Sequence, residues 1–215
     1  GLEYIERSGL KAFADEKKMF LFLMIPEDGG WHLSGADADF MNAVYVEAQA
    51  RDYYVTMQDN FYACGIGDGA DVAQQAACRM SSEWSGLMTM GDLKTDLGEI
   101  TLNKEAAGMG ANGELQIAAE RAQLPVWMVV SRWEGASVSA ASYWRANNHS
   151  GEEVFSTKDA DYVWFPVLLR QNLEMDEEMI AQVRVTVGDT ECSLSRLEQM
   201  WSYIGLARRH RGQER

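Results

Sequence analysis

The run Val126-Trp127-Met128-Val129-Val130, held between Pro125 and Ser131, constrains this 215-residue chain more than any other segment. An uninterrupted apolar strand has no polar face to offer water, so other elements must cover both of its faces. Helical periodicity supplies the cover. Residues 2–18 carry Leu2, Ile5, Leu10, Phe13 and Ala14 on one face and lead into the apolar run 19–25, stopped at Pro26, which reads as helix and then buried strand. After a polar loop with Trp31 and His32, residues 37–52 place Phe40, Ala43, Val44 and Glu47 at helical spacing, with Asp37 or Asp39 available as cap. Residues 60–64 are a short strand that enters the glycine turn 65–69, and helical spacing resumes over 71–80. Gly86–Met90 is the next strand, 115–121 a helix ending before Pro125, 138–147 a helix, Val183–Val187 an alternating strand and 194–207 the last helix. Strands alternating with helices, with no short-period repeat and no linker, predict a single domain over 1–215. Its class is α/β, a mostly parallel sheet wrapped by helices on both faces.

Charge and cysteine usage narrow the partners. With 33 acidic against 19 basic residues the net charge is -14, which repels nucleic-acid backbones and anionic lipid. The basic cluster Arg208, Arg209, His210 and Arg211 reads as a solvated end. Cys64, Cys78 and Cys192 lack CxxC spacing and predict buried thiols, neither a metal site nor a disulfide framework. No apolar run reaches membrane-span length and no signal peptide is evident, so a soluble chain is expected and the compartment stays open. A first residue Gly1 fits a processed form or a piece of a longer protein.

Chemistry concentrates at Gly65-Ile66-Gly67-Asp68-Gly69. A strand that meets a helix through such a turn resembles the G-x-S-x-G nucleophile elbow of α/β-hydrolases, where flanking glycines let the backbone come close while a serine projects. The helix through Ala12-Phe13-Ala14-Asp15-Glu16-Lys17 with its following strand and Pro26, then Trp31, Asp39-Phe40 and Asn60-Phe61-Tyr62-Ala63-Cys64-Gly65, is similar in order to the polyhydroxybutyrate-depolymerase-like and feruloyl-type esterases. The resemblance covers about residues 8–135. It implies an α/β-hydrolase-like three-layer sandwich, truncated if the chain is a fragment, and a carboxylic-ester hydrolase wherever the site is intact.

Carried over residue by residue, that site is broken. Gly67 stands where the serine should be, and a hydrogen cannot attack a carbonyl. Glu134, in Ser131-Arg132-Trp133-Glu134 after the apolar strand, occupies the acid position. The histidine expected after the last strand is missing from Gly188-Asp189-Thr190-Glu191-Cys192-Ser193, since His32 and His149 come too early and His210 too late. The oxyanion-hole segment is also missing. Loss of nucleophile or base alone costs serine hydrolases about a million-fold in turnover. The expected function is therefore a degenerate, non-catalytic domain that binds a ligand, scaffolds or dimerises, with a second hydrolase domain or another copy as partner. The alternative is an esterase whose nucleophile was replaced or is supplied elsewhere, by Cys64 for instance.

Other motifs carry less. Gly108, Gly110 and Gly113 spell G-x-G-x-x-G, but no buried strand precedes them and no acidic residue follows at the distance a dinucleotide site needs, so no cofactor is expected. Asp28, Asp37 and Asp39 lack the oxygen spacing of a calcium loop, so no metal is expected. Trp31, Trp133, Trp144 and Trp164 fall in or near loops; packing explains them most cheaply, and Trp31 and Trp133 are the candidates for a ligand cleft.

Overall fold

A computed structural model describes residues 2–26, 29–33, 35–51, 60–97, 107–109, 115–117, 122–156, 161–166 and 182–205. Along the chain run α1 (Leu2–Arg7), α2 (Leu10–Lys17), α3 (Gly35–Gln49), β1 (Tyr62–Ile66), α4 (Gly69–Arg79), β2 (Gly86–Met90), β3 (Ala107–Met109), β4 (Leu115–Ile117), β5 (Val126–Val130), α5 (Ala136–Asn147), β6 (Ser150–Ser156), β7 (Asp161–Pro166), β8 (Val183–Val187) and α6 (Leu194–Ile204). A six-stranded sheet has the order β1-β2-β5-β8-β7-β6. Its first four strands are parallel, and the hairpin β6–β7 continues it antiparallel to β8. The expected α/β class with a mostly parallel sheet is what forms.

Side-chain parity decides the layering, because successive residues of a strand face opposite sides. Leu87 of β2 and Val126, Met128 and Val130 of β5 enter one core, with Met41 and Tyr45 of α3, Ala73 and Ala77 of α4 and Trp144 of α5. Met88, Met90, Trp127 and Val129 point the other way, into a core shared with Leu10 and Phe13 of α2 and Leu197, Met200 and Ile204 of α6. Helices thus cover both faces. Burial is complete along β2 and β5, as their uninterrupted apolar sequences require.

Four expectations are corrected. The single helix over 2–18 is two helices, broken at Gly9, whose φ of 79° starts α2. A Cβ there would lie 2.8 Å from the Leu194 backbone nitrogen, so only glycine lets α2 dock on the start of α6. Residues 19–25 form no strand of either sheet. Met19 packs into the second core and Met24 into the first, so the segment passes between the faces with Phe20, Leu21, Leu23 and Ile25 exposed. Hydrophobicity alone predicts a buried strand here because it cannot tell whether another strand stands beside the run. Over 115–121 the described part, β4, pairs antiparallel with β3 and is not helical; three or four apolar residues fit either period. Trp144 and Trp164 sit in α5 and β7, nearly fully buried, and are not loop residues.

The hairpin β6–β7, absent from the sequence reading, carries a register shift between Ser150 and Glu153. It is anchored to β8 by Asp161, which accepts from both Arg184 and Thr186, while the Arg184 guanidinium lies 3.9 Å over the Trp127 ring. Asp28, Gly110 and Gly113 of the glycine pattern and the basic cluster 208–211 lie outside the described residues. Among the described residues no helix is long and apolar enough to cross a membrane, and no group of His, Cys, Asp and Glu is arranged to hold a metal ion.

Candidate functional site

The parallel strands β1, β2 and β5 deliver the glycine turn, Gly91-Asp92 and Ser131–Glu134 to one edge of the sheet. At the first, β1 turns sharply into α4, as expected for Gly67. Gly65 is required by packing: a Cβ on it would lie 2.7 Å from Ala70 Cα and 2.8 Å from Ala73 Cβ, so α4 could not lie this close to β1. Gly67 is required by its dihedral, φ 59°. Its N–H donates to the Met90 carbonyl at 2.8 Å, and its own carbonyl accepts from Ala70 N–H at 3.0 Å. Gly91, at φ 153°, completes the corner, because a Cβ there would fall 2.6 Å from the Gly67 oxygen. Around Gly67 itself the space is open, with no atom within 4 Å of a built Cβ. Gly69 starts α4 beneath Trp31, whose indole nitrogen stands 3.5 Å from where a Cβ would be.

Carboxylates surround this corner, each already engaged. Asp68, the N-cap residue of α4, pairs with Lys94 on the surface. Buried Asp71 accepts Lys94 N–H at 2.9 Å and Thr95 N–H at 2.8 Å, tying the loop after β2 to α4. Asp92 accepts the Ser131 N–H at 2.7 Å and the Ser131 hydroxyl. The hydrogen bond from that hydroxyl is the main reason the Asp92 carboxyl is held below the ordinary carboxylate range. A carboxylate so stabilised is a poor base, and Ser131 is its donor, not an activated nucleophile.

The structure does not bring the remaining sequence candidates together into a catalytic group. Glu134 is exposed and pairs with Arg132 at 3.1 Å, at the entrance to α5. Trp133 spends its ring on packing, stacked on Tyr162 at 5.1 Å and 6.0 Å from Trp164. Trp31 is half-buried against the first core, though its place beside Gly69 keeps it at the rim of the corner. His149 follows α5 at the far edge of the sheet, next to Asn148, which holds both the N–H and the carbonyl of Leu124 just before β5. His32 is exposed and directly follows Trp31 in the chain.

Cys64 lies on the β1 face that packs with α2 and α6, and burial foremost, with Cys192 beside it, pushes its thiol up to about 12. At neutral pH that leaves almost no thiolate. Asp71, Asp92, Lys94 and Ser131 escaped the sequence reading; the only signal was Gly91-Asp92 directly after a strand. No protein-family model and no curated protein matches the chain.

Proposed function

We propose that the chain is a catalytically silent α/β-hydrolase-like domain that serves as a ligand-binding, scaffolding or dimerising module. One observation carries the reading: Gly67 occupies a left-handed strand-to-helix turn with open space where a nucleophile would project, and two glycines are fitted around it. That is the backbone of a nucleophile elbow without its side chain. The alternative esterase with Cys64 as nucleophile is not favoured, because that thiol is held protonated and faces the α2 and α6 layer.

Gly67→Ser tests the reading. The hydroxyl has room, but without a base to take its proton it stays weakly nucleophilic. Hydrolysis of short-chain p-nitrophenyl esters by this variant is expected to match the parent. Saturable turnover that a serine-directed inhibitor blocks, and that Gly67→Ser/His32→Ala loses again, would reinstate a true esterase with His32 as its base.

A further inference from the structure

We propose that the free edge of β1 is a docking site for an extended, apolar strand of a partner polypeptide, held by main-chain hydrogen bonds. β1 ends the sheet and, among the described residues, pairs with β2 alone. In a parallel ladder the N–H and C=O of one residue point to the same neighbouring strand, and those of the next residue point away from it. Gly67 N–H donates to the Met90 carbonyl and the Phe61 carbonyl accepts from Ser85 N–H, so the odd-numbered residues face β2 and the even-numbered ones face outward. The N–H and C=O of Cys64 and Ile66 therefore form a row of donors and acceptors without a partner among the described residues. Edge strands are ordinarily blunted by charge, proline or a bulge, and Tyr62-Ala63-Cys64-Gly65-Ile66 has none of these.

The layers around this edge select the occupant. On one face α4 covers β1 and β2 and α5 covers β8, whereas α3 packs chiefly on α4, so it overhangs the sheet on the free side of β1. On the other face α6 covers β2 and β5, and α2 packs on α6 with Cys64 and Ile66 against their shared core. Residues 19–25 join α2 to α3 past the same edge, with Met19 in one core and Met24 in the other, and make no ladder with β1. The position beside β1 thus lies between two apolar helical layers, and a strand placed there must be apolar on both faces. A helix cannot answer main-chain groups set at strand spacing, and a charged strand would lose its hydration without gaining a partner. The inference goes beyond the proposed function and does not rest on the elbow, since it is read without any ester assay.

Amide hydrogen exchange of the full chain tests this, alone and with a synthetic peptide of about six alternating valines and alanines, the length of an ordinary strand, between paired lysines. In the free chain the Cys64 and Ile66 amides should exchange at least tenfold faster than those of Ala63 and Gly65, which face β2. Peptide at up to about 1 mM should slow Cys64 and Ile66 at least tenfold and leave Ala63 and Gly65 as they were. The same peptide N-methylated at every valine and alanine keeps its charge and its apolar groups but loses its donors, and should have no effect. Cys64→Pro removes an outward donor and no bond to β2, which is where an edge strand tolerates proline, and should weaken binding at least tenfold. Should that variant not fold, the exchange comparison still decides. Slow exchange of Cys64 and Ile66 in the free chain, no slowing of either by the peptide, an equal effect of the N-methylated peptide, or a folded Cys64→Pro chain that binds as tightly would each overturn the proposal.

Discussion

Gly65, Gly67 and Gly91 form one corner, but for different reasons, and substitution separates them. A methyl at Gly91 collides with the Gly67 carbonyl and cannot be relieved without moving β2 or the turn, so Gly91→Ala should cost about 2–3 kcal/mol in urea unfolding. Gly67→Ala meets no neighbour and bears only the left-handed backbone penalty, about 1 kcal/mol. Equal losses would show that the corner is looser than described. Cys64 gives a second residue-scale expectation. Its folded thiol is raised from 9.0 to about 12, so between those pH values the unfolded chain sheds a proton that the folded chain keeps. Stability attributable to Cys64 is therefore complete below pH 9 and falls as pH rises, by about 1.4 kcal/mol per unit. Cys64→Ala should flatten the decline between pH 8 and 10.5 without abolishing it, since burial also raises Cys192 and Tyr203. An unchanged slope would remove Cys64 from that account.

Elements hold together here through a few buried polar joints at the ends of strands. Asp71 bridges α4 to the loop after β2, Asn148 bridges the end of α5 to the start of β5, and Gln74 of α4 accepts from Trp144 of α5 at 2.5 Å while donating to Thr89 of β2 at 3.1 Å. Each satisfies groups that would otherwise lose water without compensation. Removing the Asp71 carboxylate leaves two backbone donors without an acceptor, and Asp71→Ala should cost about 2–3 kcal/mol. Hydrogen exchange at Lys94 and Thr95 should accelerate in the same variant; unaltered protection of both amides would mean that the loop is held by something else. The helix α6 shows the opposite, a locally specified element: Ser193 caps it by accepting from Arg196 N–H, and Leu197, Met200 and Ile204 make its buried stripe.

For the whole molecule, two cores on opposite faces of one sheet must outweigh both chain entropy and the self-repulsion of a net charge of -14. The sequence by itself determined the class, the parallel strands β1, β2, β5 and β8, helices α3 to α6 and the glycine turn, because continuous apolar runs, helical periodicity and paired glycines are local consequences of burial and backbone sterics. It left undecided whatever depends on which element stands beside which. Residues 19–25 are apolar enough for a buried strand, yet only the tertiary arrangement leaves them outside the sheet and exposed. Asp92 and Ser131 are 39 positions apart and meet only because β2 and β5 are neighbours. Trp31 reaches the start of α4 by the same kind of long-range closure. Local physics writes the elements into the chain; strand order and the passage of residues 19–25 from one face of the sheet to the other are decided by packing, where one residue's neighbours lie tens of positions away.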